Sequence, residues 1–296
     1  MKSVALATTT PDVLNGEDVD VDLIVNALHT AGVLAEPRIW HDPSVDWASY
    51  DAVVLRSPWD YPERYGEFLD WLEQTSGVTH ILNQPEVVRW NLDKSYMLEL
   101  GELGAPIVPT WIYDHADSAV DAASSMDGQI VVKPTISAGS RDTALLDANS
   151  PVVENLARKI ESDGKRIIIQ PAIPSVVEEG ELASLWFDGE FSHALRKGPI
   201  LAAGGGFLGG AYTEHVAPAT MTDATHQACK AVMAAITRML AERLSIAEPL
   251  LYARLDLVNG NNGPLLLEAE LFEPSYFLVT APGSELRFAQ ALARRL

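Results

Sequence analysis

Two strand-like runs near the C-terminus carry the densest set of chemically active side chains, Ala253-Arg254-Leu255-Asp256-Leu257 and Leu267-Glu268-Ala269-Glu270-Leu271. Side chains alternate faces along a strand, so Arg254 shares a face with Asp256, and Glu268 shares one with Glu270. The intervening Asn259-Gly260-Asn261-Asn262-Gly263 makes a hairpin turn. Closing the hairpin over those five residues sets Arg254 roughly opposite Glu268 and merges the two polar faces. Three carboxylates then crowd one surface, while Leu255, Leu257, Ala269 and Leu271 fill the other. Adjacent like charges destabilise a sheet. A divalent cation relieves that repulsion, and a set of hard oxygen ligands suits Mg²⁺. The alternative is a solvated outer face on an edge hairpin, although such a face usually mixes in Lys, Thr or Ser.

A second signal is Lys133, at the end of the apolar run Ile130-Val131-Val132 and followed by Pro134. The next residues, Thr135-Ile136-Ser137-Ala138-Gly139-Ser140-Arg141-Asp142-Thr143, are small or hydroxylated, which lets backbone N–H groups approach phosphate oxygens. A lysine leaving a buried strand needs an anion nearby or must snorkel to water. The competing reading is an ordinary strand end. Lys94 follows Asn91-Leu92-Asp93, which resembles a helix start with Asp near the cap, and a surface lysine is the plain reading there. Arg56-Ser57-Pro58-Trp59-Asp60-Tyr61 closes a strand of the first lobe. Ligands of open α/β sheets gather beyond the carboxyl ends of the strands. Arg56 could clamp a carboxylate there, with Trp59 as a wall and Asp60 beside it; a Pro-initiated turn with a packed Trp is the alternative. Gly204-Gly205-Gly206-Phe207-Leu208-Gly209 spells G-x-G-x-x-G, but it lies between no strand and helix, so a dinucleotide site is discounted. A glycine-rich cover over an active site fits better.

These residues need elements to hold them. The first stretch alternates strand and helix: strands at 3–9, 33–40, 51–57 and 80–83, with helices through Val21, Ile24, Val25 and Leu28 and through Tyr65, Phe68, Leu69 and Leu72. That order implies a parallel sheet with helices on its faces, over residues 1–90. Strands at 107–113, 129–135 and 166–172, with helices at about 117–125 and 151–162, make a compact α+β lobe over 91–172. The last lobe, 173–296, opens with a hairpin at 181–187 and 190–196 around Asp188-Gly189. It continues with a long helix at 222–244, the acidic hairpin at 250–258 and 264–272, and a final helix from about Ser284. The formal net charge of −20 disfavours nucleic acid and anionic membranes as partners. No apolar run is long enough to span a bilayer and none resembles a signal peptide. With Cys229 as the single cysteine, a cytoplasmic protein is expected.

In this order, the residues resemble the ATP-grasp superfamily over nearly the whole chain. The nearest branch holds bacterial glutathione synthetases, RimK-type ligases and the cyclo-ligases of cycloserine biosynthesis that close O-ureido-D-serine. Asp93-Lys94 with Gly104-Ala105-Pro106-Ile107-Val108-Pro109-Thr110 resembles the family's Asp-Lys helix and Gly-x-Pro-x-Pro-Thr strand. Val131-Val132-Lys133-Pro134 with Ser137, Gly139 and Ser140 resembles its lysine and phosphate loop. Ile169-Gln170-Pro171-Ala172-Ile173 resembles the hinge whose backbone meets adenine, and Glu181 the acidic position after it. Asp256, Glu268 and Glu270 match the metal-binding Asp…Glu-x-Asn, and Arg254 a phosphate-contacting arginine. Two departures stand out. Glu270 replaces the usual Asn, and Ala183 stands where many relatives carry Arg. The Arg56–Tyr61 segment and Phe191-Ser192-His193-Ala194-Leu195-Arg196-Lys197 look more like the cyclo-ligase branch.

The resemblance implies an α/β and α+β ATP-grasp fold, a parallel-sheet lobe plus two α+β lobes that clamp ATP. It also implies an ADP-forming carboxylate–amine ligase acting through an acyl phosphate, with ATP and Mg²⁺ as cofactors. Arg254 and Arg196 are the expected catalytic arginines, and Arg56, Trp59 and Asp60 the expected substrate contacts. The short, aromatic-walled corner points to a small amino-acid-like carboxylate with a small or intramolecular capturing nitrogen. A peptide ligase of the glutathione synthetase or RimK type and a non-catalytic ATP-binding protein are the alternatives. A homodimer is left open.

Overall fold

The computed structural model describes residues 1–14, 16, 18–198 and 215–296. Three sheets organise the chain. The first comprises β1 (Lys2–Thr8), β2 (Val33–Ile39), β3 (Ala52–Ser57) and β4 (His80–Leu82), all parallel in the order β2-β1-β3-β4. Val4 to Ala7 of β1 are wholly buried, as a strand covered on both faces must be. Helix Asp20–Thr30 covers one face through Ile24, Ala27 and Leu28. Helix Tyr65–Ser76 covers the other through Phe68, Trp71 and Leu72, packed on Trp40, Val53 and Leu55.

The central sheet is antiparallel: β5 (Trp111–Tyr113), β6 (Gln129–Pro134), β7 (Ala144–Asp147) and β8 (Ile167–Pro171), in the order β5-β8-β6-β7. Helices Ala116–Ser124 and Pro151–Ser162 pack on Ile130, Val132, Ile167 and Ile169. Alternation therefore turns Val131, Lys133, Ile168 and Gln170 to the opposite face. The strand expected over 107–113 is split around Pro109. Residues 106–108 pair with Leu266 (Val108 N to Leu266 O, 2.9 Å), and only Trp111–Tyr113 joins the central sheet.

The third sheet is β9 (Glu181–Phe187), β10 (Glu190–Lys197), β11 (Val216–Ala219), β12 (Tyr252–Gly260) and β13 (Gly263–Glu270), antiparallel in the order β11-β10-β9-β12-β13. Asp188 and Gly189 form the tight turn between β9 and β10, both with positive φ (55° and 78°), as the twist of a two-residue hairpin requires. Helix Asp223–Arg243 buries Val232, Ile236 and Met239 against Leu255, Leu257 and Ala269. The apolar part of the opposite face, with Ala183, Leu185, Leu195 and Tyr252, packs on the first sheet and on the final helix Ser284–Ala293. Two buried asparagines fasten this junction. Asn83 donates to Tyr252 O and Leu271 O (2.8 and 2.6 Å) and accepts from Leu251 N (2.7 Å). Asn91 donates to Ala269 O (2.9 Å) and accepts from Leu271 N (2.8 Å). Among the described residues, no helix is long and apolar enough to cross a membrane.

The acidic hairpin differs in detail from the sequence expectation. Its strands run on to Gly260 and Gly263, so the turn is Asn261-Asn262 rather than five residues. A bulge then leaves Leu267 unpaired, because Leu257 faces Leu266 and Asp256 faces Glu268. Arg254 consequently faces Glu270, not Glu268. Each displacement alone would turn Glu268 and Glu270 away from Asp256; together they restore one shared polar face.

Candidate functional site: a charged cleft between the lobes

Asp256 is 2% exposed, on the β12 face it shares with Arg254. It accepts from Arg254 (Nε to Oδ1 3.0 Å, Nη2 to Oδ2 2.9 Å) and from Lys197 Nζ (2.7 Å). Lys197 is also 2.9 Å from Glu181. Arg254 additionally pairs with Glu270. Lys94 bridges two lobes, 3.2 Å from Glu268 and donating to Ser137 O at 2.6 Å. Its backbone N–H donates to Thr135 O (2.8 Å), and Asp93 beside it accepts from Ser95 N (2.9 Å) and Thr135 Oγ1 (3.0 Å). Lys94 of the 91–95 turn thus meets the β13 carboxylate Glu268, and Lys197 of β10 meets the β12 carboxylate Asp256.

The charges are unequal to one another. Burial raises the Asp256 carboxyl, but Arg254 and Lys197 more than offset it and hold it below the usual range. Glu268 is held low in the same way by Lys94 and Lys133 against its burial. Glu270 is pushed up to about 7 by burial together with the charges of Asp256 and Glu268, against the pull of Arg254. Burial, then Glu270, raises Glu273 well above a normal carboxyl. Burial lowers the Lys133 ammonium. A further cation beside Glu270 would relieve the repulsion from Asp256 and Glu268 that helps to raise it. Each expected ligand is nevertheless turned to a lysine or arginine, and no group of three acidic or His/Cys side chains is gathered closely enough to hold a metal among the described residues.

Of the expected nucleotide segments, the 135–143 loop meets this surface, through Ser137 O. The 135–143 loop bends through left-handed Gly139, Ser140 and Asp142 (φ 61°, 56° and 53°). It leans on the first lobe through Ile136 and Ala138 and through an Arg141–Glu63 ion pair. In the hinge, the Gln170 side chain donates to Thr110 Oγ1 (2.9 Å), the Ala172 N–H donates to Gln129 O (2.9 Å), and Ile173 O accepts from Val176 N (3.0 Å). Pro171 ends β8. The glycine-rich run 204–210 lies outside the described residues.

Four expected residues are placed differently. Arg196 lies on the opposite face of β10, donating to Glu179 O at 3.0 Å, and its neighbour Lys197 takes the inward position. The cause is a bulge at Ser192. Counting straight back from the Asp188-Gly189 turn sets Arg196 against Glu181, whereas the shifted register pairs Lys197 with Glu181. Arg56 is no open clamp. It is 0% exposed, paired with Asp18 at 3.2 Å, and donates to Pro274 O at 2.7 Å. A guanidinium in an apolar junction must find such partners, and here they are internal. Trp59 is turned to Glu273 O (3.1 Å). Asp60 is buried and accepts from Trp40 Nε1 (2.7 Å), with Arg64 3.6 Å away. Sequence reasoning missed Lys197, and also Glu273 with its neighbour Tyr61. A Glu three residues beyond Glu270 was the available signal for Glu273.

With the geometry in hand, comparison with known proteins is specific. Residues 4–83 match the family described as D-cycloserine synthetase DcsG, N-terminal domain. The chain is 37% identical over 302 residues to the cycloserine biosynthesis protein DcsG of Streptomyces lavendulae, covering 98% of each. It superposes on a crystal structure of D-cycloserine synthetase DcsG with a TM-score of 0.88 at 34% identity, covering 99% of both chains. A RimK-domain ATP-grasp protein from Sphaerobacter thermophilus shares the fold at 15% identity, with a TM-score of 0.66 over 99% of this chain and 98% of that one. Sequence identity above 30% to DcsG over nearly the full length of both chains, with the fold shared end to end with the DcsG crystal structure, identifies the chain as a member of the DcsG family, carbon–nitrogen-bond-forming ATP-grasp ligases related to D-cycloserine synthetase.

Proposed function

We propose that this ligase binds ATP and Mg²⁺ over the charged cleft and activates a small amino-acid carboxylate there, with O-ureido-D-serine as the substrate and ring closure to D-cycloserine as the outcome. The observation that carries the reading is the Lys94–Glu268 contact of 3.2 Å, which joins the turn before the central sheet to the acidic hairpin. Lys94, Lys133, Lys197 and Arg254 offset the phosphate charge. Ser137, Gly139 and Ser140 line the polyphosphate, and residues 170–173 with Glu181 border the base and ribose. Asp256, Glu268 and Glu270 would hold Mg²⁺, which when bound neutralises phosphate charge. Arg254 and Lys197 release part of their hold on those carboxylates as the nucleotide arrives.

The substrate carboxylate attacks the γ-phosphorus, and ADP leaves. The oxygen-bearing ureido nitrogen of the same molecule, giving up its proton, then attacks the acyl carbon and expels phosphate, and water removes the carbamoyl group from that nitrogen as carbon dioxide and ammonia to leave D-cycloserine. The protein contributes placement and fixed charge rather than covalent chemistry. Side chains shielding the cleft keep water from the acyl phosphate.

A phosphate-release assay over a panel of amino-acid carboxylates and amines tests this. Release with O-ureido-D-serine alone, accompanied by D-cycloserine, is expected. Release that needs a separate amine or a peptide acceptor contradicts the cyclising reading. Glu268→Gln should raise the Mg²⁺ concentration needed for half-maximal rate; unchanged Mg²⁺ dependence and rate would remove Glu268 from the metal set.

A further inference from the structure

The chain leaving β13 is held through its backbone as well as through its buried Tyr276 and Leu278 side chains. Four successive carbonyls have side-chain partners: Trp59 Nε1 donates to Glu273 O (3.1 Å), Arg56 Nη1 to Pro274 O (2.7 Å) and Arg254 Nη1 to Ser275 O (3.3 Å), and His193 Nε2 lies 2.8 Å from Tyr276 O. The next three N–H groups, of Tyr276, Phe277 and Leu278, all donate to the Asp20 carboxylate at 2.7, 2.9 and 2.8 Å. The Tyr276 ring lies 4.0 Å from the Arg56 guanidinium carbon. Phe277 adopts φ 52°. A bulky residue stays in that region only where its surroundings over-determine it, and Asp20 grips the backbone N–H of Phe277 and of both its neighbours.

Of the four side chains on those carbonyls, Arg254 is the one that also pairs with the hairpin carboxylates Asp256 and Glu270. Its Nε and Nη2 serve Asp256, Nη2 also meets Glu270, and Nη1 meets the strap at Ser275. The Phe277 ring lies 5.6 Å from its guanidinium carbon. A planar guanidinium is oriented by contacts on several edges at once. The strap supplies the Nη1 edge, and the first lobe supplies the strap.

We infer that Asp20 and Arg56 are positioning residues for Arg254, acting through the 273–278 strap to set the guanidinium beside Asp256 and Glu270. The first lobe thereby reaches the reacting phosphate without touching it. This rests on the reading of Arg254 as a phosphate-contacting group.

The test is a double-mutant cycle on ATP-dependent phosphate release with O-ureido-D-serine. Asp20→Asn replaces one acceptor oxygen by an NH₂ and leaves at least one strap N–H facing a donor. It should lower kcat by ~10- to 100-fold, the scale expected of a displaced reacting group, while thermal unfolding stays cooperative. In an Arg254→Lys background, the same change should cost less than twofold further. Losses that multiply in the double variant, or an Asp20→Asn enzyme within twofold of wild type, overturn the positioning role. An Arg254→Lys enzyme with wild-type kinetics overturns the phosphate reading of Arg254 and the inference with it, an outcome distinct from multiplied losses. Should Asp20→Asn fail to fold, Arg56→Lys carries the same cycle, because lysine keeps the charge but cannot span Pro274 O and Asp18 together.

Discussion

Asn91 holds the strand that carries Glu268 and Glu270, and removing its amide has a calculable cost. β13 lies at the edge of its sheet, so its outer backbone groups need partners from elsewhere. Asn91 Nδ2 donates to Ala269 O at 2.9 Å and Oδ1 accepts from Leu271 N at 2.8 Å, the groups on either side of Glu270. The residue is 5% exposed, so Asn91→Ala leaves both groups in a dry junction. An unsatisfied buried donor or acceptor costs ~1–3 kcal/mol, so the pair costs roughly 2–6 kcal/mol. Water entering the vacated space would move the value toward the lower end. Against a total stability of about 5–15 kcal/mol, this is a large share. Urea unfolding followed by tryptophan fluorescence should show the midpoint falling with the slope unchanged. Asn91→Asp keeps the acceptor for Leu271 N but sets an oxygen against Ala269 O, and it should destabilise at least as much. Turnover should fall with Asn91→Ala under conditions where the protein is still folded, because Glu270 loses the register of its strand. A stability loss below about 0.5 kcal/mol with unchanged turnover would refute the claim that this amide holds the hairpin.

Other outcomes follow from the same geometry. Lys197→Met should lower kcat/KM for ATP by ~100-fold, the scale of losing one well-placed donor, whereas Arg196→Met on the other face should stay within about threefold; equal effects in a phosphate-release assay would contradict the bulged register of β10. His193 is buried, which holds its imidazole below its usual range despite the contact with Tyr276 O. The unfolded chain takes up that proton near pH ~6.5 while the folded chain does not. His193 therefore contributes stability above that pH, and it is lost as the pH falls toward the lowered folded value. Thermal unfolding between pH 7.5 and 5 should show a smaller decline in His193→Gln than in wild type, and identical slopes would contradict it. Arg56→Lys should lower the unfolding temperature, since a lysine cannot satisfy both Asp18 and Pro274 O; an unchanged transition would mean Arg56 does not hold the strap.

The helices and strands were legible because their periods are carried by apolar spacing. Ile24 and Leu28, Phe68 and Leu72, and Val232 and Ile236 face the cores their spacing suggests. The acidic hairpin was legible for the same reason. The expectation of one shared polar face was right, but through a five-residue turn and a register that the structure replaces with a two-residue turn and a bulge at Leu267. Nothing in local composition marks either bulge, because a bulge is set by the packing of both faces at once. The second bulge, at Ser192, exchanged Arg196 for Lys197. Arg56 failed differently. Its position at the carboxyl end of β3 was evident, but its partners Asp18 and Pro274 are distant in sequence, and no periodicity joins them. β7 and β11, four residues each, are too short to stand out.

The central claim, that a carboxylate is activated by phosphoryl transfer, has a direct isotopic test. O-ureido-D-serine labelled with ¹⁸O in its carboxylate is turned over with Mg-ATP, and the released phosphate is analysed by mass. Attack of the carboxylate on the γ-phosphorus, followed by expulsion of phosphate by nitrogen, moves one carboxylate oxygen into each phosphate. The account predicts phosphate carrying one ¹⁸O per ring closed. Phosphate free of label, with cyclised product present, would contradict it.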